Sequence, residues 1–295
     1  MRRDRNLWLA SALLSALAVG LIALLWARVD HAYPDSFTPI TSNDDLAAFL
    51  GDRLEAASDV QFRNATPALV PTGLFIQSVA FESATSVNVT GYVWQKYPLD
   101  FPYAQGVTFP ELVSSSDLQL REEYRGRVLH RGVEHDLVGW YFDATVRQPF
   151  DYGTYPLDHL LIWLRIWPAD LSDNARILLV PDFEAYFETG RPVFGLDQDI
   201  VTGEWQITRS FFAYRDTPYD MRFGFPVPDG PHEAEVFSEF HFTLAAERKF
   251  INAFVVNLVP VLVVALLLFG ALMTVSGERE QSQRFGFSTS GVLGT

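Results

Sequence analysis

Residues 78–100 read SVAFESATSVNVTGYVWQKYPLD, and apolar and polar residues alternate along much of this segment. Apolar residues recur at every second position up to Phe81. Beyond residues 82–86 the alternation resumes. One face of the chain would carry Val87, Val89, Gly91 and Val93, and the other face would carry Asn88, Thr90, Tyr92 and Trp94. A period of two is that of a strand with one buried face. The segment between the two runs is therefore predicted to be the turn of a β-hairpin.

Further strands are predicted at close intervals after this hairpin, at 124–130, 136–145, 160–167, 177–180, 204–214 and 236–244. Such spacing, with an aromatic content of 14% and 17 prolines, is typical of an antiparallel β-sandwich rather than an α/β fold. Upstream, apolar residues at helical spacing predict a short helix over 44–57, with Asn43 or Asp44 as its N-cap. Residues 64–72 hold two prolines and are predicted to be a linker.

Two apolar segments without a charged residue flank this middle part, at 7–26 and 250–275. As a helix, each is long enough to cross a bilayer core of about 30 Å. Arginines precede the first segment and follow the second, so the positive-inside rule places both flanks in the cytoplasm. The predicted organisation is an N-terminal membrane anchor or cleaved signal segment, an extracellular or periplasmic domain, a transmembrane helix and a cytoplasmic end: 1–30, 31–248, 249–276 and 277–295.

The composition argues against several functions. A net charge of −14 is unsuited to binding nucleic acid, which needs a basic face. The absence of cysteine excludes disulfides, thiol catalysis and cysteine metal sites. Neither GxSxG, HExxH, GxGxxG nor a Walker pattern occurs. We therefore expect no enzyme activity, no cofactor, no catalytic residue and no metal site.

Several short motifs follow one another in a distinctive order. They include the hairpin at 78–100, FPEL at 109–112, QPFDYGTYPLDHLLIWLRI from Gln148 onward, GEWQI at 203–207 and, last, FTLAAERKFINAFVVNLVP. Together these motifs resemble the pentameric ligand-gated ion channel (Cys-loop receptor) family in its prokaryotic form. The long motif is similar to the signature loop of that family, and Gln148 and Ile162 stand where animal receptors have paired cysteines. The final motif resembles the last strand and the first membrane helix.

The resemblance implies both a fold and a function. The fold would be the immunoglobulin-like sandwich of a channel's ligand-binding domain, preceded by a short helix and flanked by two transmembrane helices. Identical subunits would form a homopentamer in the cell (inner) membrane, bind a small-molecule ligand at their interfaces and pass permeant ions. Ion selectivity stays open, because Glu278 and Glu280 favour cations while Arg279 and Arg284 lie beside them.

The resemblance also implies roles for particular residues. Ligand-binding aromatic residues would be Tyr92, Trp94, Trp167, Tyr214 and Tyr219. Residues coupling the domain to the membrane would be Glu82, Asp158, Arg248 and Pro156. Pore-lining residues would be Gly286, Ser290 and Leu293, in a helix of which 277–295 contains only the start. The alternative for each aromatic residue is packing in the sandwich, and for each charge an unrelated place on the surface.

A membrane-anchored sensory or ligand-binding module without channel activity is the alternative function. Two membrane helices around an exported domain are also the layout of many signalling receptors. Two features favour the channel instead. Almost no linker separates the last predicted strand from the second apolar segment, and a rigid junction can transmit motion. Residues 285–295, FGFSTSGVLGT, are rich in small and hydroxyl side chains rather than resembling a helical signalling linker.

Overall fold

The structure is a computed structural model. It describes residues 37–56, 67–114, 118–153, 155, 158–171, 177–187, 191–221, 224, 235–249, 255–256 and 259–269, together with residues 9, 12, 13, 15–17, 19–21 and 24. The chain divides into two compact units, Met1–Glu247 and Arg248–Thr295. The predicted residues Pro156, Gly286, Ser290 and Leu293 lie outside the described residues.

The described part of the first unit is mainly β, as the sequence predicted. Its elements are β1 (Thr38–Ile40), α1 (Asn43–Ala56), β2 (Ala68–Phe81), β3 (Ser86–Pro98), β4 (Val107–Thr108), β5 (Leu118–His130), β6 (Val133–Arg147), β7 (His159–Pro168), β8 (Ile177–Pro181), a short 3-10 helix (Phe183–Ala185), β9 (Trp205–Tyr219) and β10 (Glu235–Arg248). Sheet A has the strand order β1-β9-β10-β7-β4, and sheet B has the order β5-β6-β3-β2-β8. Neighbouring strands are antiparallel except β2 and β8, which run parallel.

The predicted hairpin is confirmed as β2 and β3. The two strands pair from Thr72 opposite Gln95 to Phe81 opposite Val87, and the turn is closed by a hydrogen bond of 3.1 Å from the Glu82 amide to the Ser86 carbonyl oxygen. The alternation of β3 separates a fully buried face from a half-exposed one. Gly91 interrupts the valines because a Cβ there would strike the carbonyl oxygen of Phe75. The close approach of the two strands therefore requires glycine at this position.

One hydrophobic core unites the two sheets. Side chains of both belong to a single buried cluster, among them Val93 and Phe142 from sheet B and Phe212 and Phe240 from sheet A. The rings of Phe212 and Phe240 stack with their centres 5.3 Å apart. Burial of one such side chain contributes about 1.5–3 kcal/mol to folding. The inner faces of the sheets, rather than disulfides, therefore hold this cysteine-free domain together.

The helix α1 begins one residue earlier than predicted and has a different cap. Ser42, not Asn43 or Asp44, is the N-cap: its Oγ accepts a hydrogen bond from the Asp45 amide at 3.1 Å. Asp45 returns the bond, since its Oδ2 accepts from the Ser42 amide at 3.0 Å. This reciprocal pair is a capping box with aspartate in the third helical position. It fixes the helix against the core, where Leu46 is buried.

The linker prediction for residues 64–72 is wrong in its second half, because β2 already begins at Ala68. Pro71 lies inside this strand, but pairing with β3 starts only at Thr72. Proline lacks a backbone N–H, and the β2–β3 pairing does not require one at position 71. A strand tolerates proline at such a position. The strands β1 and β4 were not predicted. With three and two residues, they are too short to show a period.

The described helical residues near the C-terminus, 255–256 and 259–269, have exposed side chains that are almost all apolar. Considering only the described residues, the structure contains no helix whose length and apolar character suffice to cross a membrane.

Candidate functional site

Arg165 lies between two glutamates on the outer face of sheet A. Its Nη1 donates to Oε1 and Oε2 of Glu239 at 2.8 and 2.9 Å. Its Nε and Nη2 contact the carboxylate of Glu111. The side chains of Arg165, Glu111 and Glu239 are only 20%, 13% and 2% exposed. An ion pair so shielded from water differs from an ordinary surface pair, which contributes little.

Three more side chains converge on Glu239. The hydroxyl of Tyr219 donates to Oε1 at 2.7 Å, and that of Thr217 donates to Oε2 at 2.6 Å. The indole N–H of Trp167 donates to Oε1 at 3.1 Å. The Arg165 guanidinium carbon also lies 6.0 Å from the centre of the Trp167 ring, within the range of a cation–π contact. Below, the arginine cluster means Glu111, Arg165, Trp167, Thr217, Tyr219 and Glu239.

The two carboxylates of the arginine cluster respond differently to burial. Burial raises the pKa of Glu111, and the neighbouring Arg165 only partly opposes this effect. Burial also acts to raise the pKa of Glu239, but hydrogen bonds from Thr217, Arg165 and Tyr219 outweigh it and lower that pKa. Burial and the bond to Glu239 raise the pKa of Tyr219 to about 12. With both glutamates ionised, the three charged groups sum to one negative charge.

Four segments of the chain build the arginine cluster. Arg165 and Trp167 project outward from β7 because the residues that alternate with them, Leu164 and Ile166, face the core. Glu239 projects outward from β10 beside the buried Phe240. Tyr219 ends β9, and Glu111 follows β4. The strand alternation thus places charged and aromatic side chains on one face.

The structure brings two of the predicted ligand-binding residues, Trp167 and Tyr219, into the arginine cluster. It places Tyr214 elsewhere, in the core. The Tyr214 hydroxyl donates to the Leu179 carbonyl oxygen at 2.6 Å, and its ring stacks on Phe49 with centres 4.1 Å apart. Complete burial raises the pKa of Tyr214. The alternative role, packing in the core, describes this residue.

The other two predicted aromatic residues, Tyr92 and Trp94, lie on the outer face of sheet B. Trp94 lies across Gly73 and donates its indole N–H to Asp182 Oδ2 at 2.9 Å. Tyr92 is half-buried and meets Tyr141 edge-on, with ring centres 5.6 Å apart. The predicted ligand-binding residues are thus divided between the outer faces of the two sheets.

Two of the predicted coupling residues, Glu82 and Asp158, lie in loops that touch. Glu82 is exposed in the β2–β3 turn, and Asp158 is fully buried just before β7. The two loops are joined by a hydrogen bond of 2.8 Å from the Gln148 amide to the Thr85 carbonyl oxygen. Arg248 is the last residue of β10. Its role in coupling stays a prediction.

Sequence reasoning missed Glu111, Arg165 and Glu239. A weak signal exists for Arg165, which is the one charged residue in the otherwise apolar or aromatic run LLIWLRIW, but Glu239 lies in EVFSEFHF, which holds other polar residues as well. Their mutual contact, however, joins positions 54 and 74 residues apart along the chain. In the part of the chain that the structure describes, no group of three or more His, Asp or Glu side chains could hold a metal ion.

Comparison of the chain with protein-family models gives no match. Comparison with curated proteins gives no match either. The arginine cluster and the motifs in the sequence are therefore the features that bear on function.

Proposed function

We propose that the chain is a subunit of a pentameric ligand-gated ion channel, with the arginine cluster as one half of its ligand site. One observation carries this proposal. Glu111 belongs to the FPEL motif, Arg165 and Trp167 lie near the end of the strand that follows the signature-like loop, and Tyr219 ends β9. Trp167 and Tyr219 are two of the residues to which the resemblance assigns ligand binding.

The division of the aromatic residues between two faces supports a site between subunits. Trp167 and Tyr219 lie on the outer face of sheet A, whereas Tyr92 and Trp94 lie on that of sheet B. The outer faces of two sheets that share one core point away from each other. One chain cannot bring both sets to one ligand, but two neighbouring copies can. In this proposal the two sheets are the immunoglobulin-like sandwich of a ligand-binding domain.

The arginine cluster supplies a physical means of switching. Arg165 is held by two carboxylates whose environments differ, with Glu239 fixed by three further hydrogen bonds. A ligand that binds beside Trp167 and Tyr219 would favour one arrangement of Arg165 over another, and only such differential binding shifts an equilibrium. In this proposal, which follows the resemblance, that bias would be coupled to opening of the pore. The exposed apolar side chains of 259–269 suit a lipid environment.

Cross-linking of the full chain tests the proposed interface. The natural sequence has no cysteine, so Tyr92→Cys and Tyr219→Cys would introduce the sole thiols. In detergent under mild oxidation, we expect the double variant to give a ladder of covalent species up to five copies. Tyr219→Cys alone is the matched control and should give no ladder beyond a dimer.

Native mass measurement of the unmodified chain complements the cross-linking. A pentamer supports the channel. A dimer, without a ladder in the double variant, would favour the alternative of a membrane-anchored sensory module, because such receptors dimerise. Monomers alone would contradict both assemblies.

A further inference from the structure

A second polar group lies on the outer face of sheet A beside the arginine cluster. It consists of Trp163 on β7 and His241 and Thr243 on β10, and it is called the polar niche below. Three buried atoms of these residues, Trp163 Nε1, His241 Nε2 and Thr243 Oγ1, have no hydrogen-bond partner within the described chain. Buried polar atoms are almost always paired, so three unpaired atoms on one patch indicate a bound partner.

Strand register places the three side chains together. Thr243 lies directly opposite Trp163 in the β10–β7 ladder, and His241 is two residues away on the same face. Side chains of directly opposed residues are about 5 Å apart at Cβ, and diagonal neighbours are within reach of long side chains. The Phe37 ring lies over the group, with its centre 5.2 Å from that of His241 and 6.1 Å from that of Trp163. An apolar ring thus covers the polar niche.

The hydrogen-bonding character of each atom is defined. His241 Nδ1 lies 2.9 Å from the Glu239 carbonyl oxygen, which can only accept, so Nδ1 carries the proton and Nε2 is an acceptor. Burial lowers the pKa of His241 to about 4, which keeps the ring neutral at pH 7. Trp163 Nε1 can only donate, and the Thr243 hydroxyl can do either. The niche therefore offers one acceptor, one donor and one group of both kinds.

We propose that the polar niche binds one buried water molecule. The water donates one hydrogen to His241 Nε2, accepts the indole N–H of Trp163 and exchanges a hydrogen bond with the Thr243 hydroxyl. Buried waters typically make about three such bonds to polar groups that would otherwise be unpaired. His241 and Thr243 are both fully buried, Trp163 is partly buried and Phe37 lies over the group, which favours an occupant as small as water.

The water site connects to the arginine cluster through one residue. It holds the Nε2 side of His241, whose Nδ1 is bonded to the backbone of Glu239. The carboxylate of the same Glu239 binds Arg165. The water is therefore part of the support that positions Glu239, independent of whether a ligand binds there.

The variant Thr243→Val, which replaces the Thr243 hydroxyl by a methyl group, tests the proposal. An occupied niche and an unoccupied niche predict changes in Tm of different sign. If nothing occupies the niche, Thr243→Val removes an unpaired buried polar atom and the Tm of the full chain stays constant or rises. If the water is present, the variant deprives it of one bond, and we expect the Tm to fall by about 2–4 °C. Thr72→Val is the reference, since the Thr72 hydroxyl is buried and bonded to the Val70 carbonyl oxygen at 3.0 Å.

A high-resolution structure of the full chain gives the second readout. A single spherical density within hydrogen-bond distance of Trp163 Nε1, His241 Nε2 and Thr243 Oγ1 supports the proposal. An empty niche would overturn it. So would elongated density, which would identify a small hydroxylated molecule instead of water. In either overturning case the cross-linking test of the subunit interface is unaffected.

Discussion

The side-chain amide of Gln148 bonds to both backbone groups of Trp163. Its Oε1 accepts from the Trp163 N–H at 3.2 Å, and its Nε2 donates to the Trp163 carbonyl oxygen. Gln148 is fully buried, and the bonds close the segment 148–163 at its base. In the resemblance, Gln148 and Ile162 stand at the positions of the paired cysteines of animal receptors. A non-covalent link to the neighbouring residue thus closes the loop that a disulfide closes there.

We expect Gln148→Leu to destabilise the domain by about 1–3 kcal/mol, because two buried backbone groups of Trp163 lose their partner. Urea denaturation followed by circular dichroism measures the change. Gln119→Leu is the matched control, since Gln119 is exposed on β5 and its replacement should change stability by less than about 0.5 kcal/mol. Equal effects of the two variants would contradict a structural role for the Gln148 amide.

Two glycines that lie under aromatic rings should respond differently to alanine. A Cβ at Gly73 would collide with the Trp94 indole, and one at Gly139 with the Tyr124 ring. Trp94 cannot easily move, because its N–H is bonded to the buried Asp182. Tyr124 is 43% exposed and can swing toward solvent. We therefore expect Gly73→Ala to cost about 1–3 kcal/mol and Gly139→Ala clearly less.

The midpoint of urea unfolding of each variant checks this difference. Tryptophan fluorescence of native Gly73→Ala should also change, since the indole must shift or lose its bond to Asp182. If both variants lose the same stability, the hydrogen bond to Asp182 does not hold Trp94 in place.

The strands were predictable where a buried face repeats over many residues. Buried and partly exposed residues alternate at every position of β3 from Val87 to Val93, so the period of two alone identifies this strand. The start of β2 was not predictable, because Pro71 is a local signal against a strand and only pairing with β8 and β3 reveals it. The cap at Ser42 was in principle readable, since serine followed three residues later by an acid is a capping-box pattern.

The candidate site was predictable only in part, for a physical reason. Trp167 and Tyr219 were identified because the motifs order the loops that carry them. The partners that hold them, Arg165 and Glu239, meet through strand pairing between β7 and β10, and no local pattern encodes that contact. The same limit explains Tyr214: Ala213 precedes it and Arg215 follows it, and this local sequence gives no sign that the tyrosine side chain is buried in the core.

Removal of the guanidinium should expose the dependence of the arginine cluster on charge. Arg165→Met leaves Glu111 and Glu239 buried beside each other without a cation. We expect a loss of about 2–4 kcal/mol at pH 7, somewhat below the value for a fully buried pair because Arg165 is 20% exposed. Arg165→Lys keeps the positive charge but not the planar guanidinium that binds both carboxylates, and we expect it to lose less stability than Arg165→Met. Denaturation at pH 7 compares the three proteins.

The loss in Arg165→Met should shrink as the pH falls from 7 toward 4.5. Without the cation, at least one glutamate has a folded-state pKa above its unfolded value. The folded variant then binds more protons than the unfolded chain, so its stability rises with acid. A loss that stays constant over this range would show that the lost packing of Arg165, not its charge, causes the destabilisation.

Acid should also destabilise the natural protein through His241. Burial lowers the pKa of His241 from 6.5 to about 4 in the folded state. The unfolded chain is then the better proton acceptor, so stability is complete above pH 6.5 and falls as the pH drops toward 4. This difference corresponds to about 3 kcal/mol at the acid end. Arg165 and Arg215 oppose protonation of His241, whereas the Glu239 carbonyl group and carboxylate favour it.

Stability measured from pH 7.5 to 4 for the natural chain, His241→Leu and His135→Leu isolates this contribution. Carboxylates titrate in all three proteins, so the difference between the curves is the quantity of interest. We expect His241→Leu to be less stable at pH 7, where the hydrogen bond to Glu239 is lost, but to have a clearly flatter acid limb. His135→Leu is the control for the loss of a histidine elsewhere, since His135 lies near the start of β6 and is only partly buried. If the His241→Leu curve runs parallel to that of the natural chain, the buried imidazole does not contribute to acid sensitivity and its ring must reach solvent before it takes up a proton.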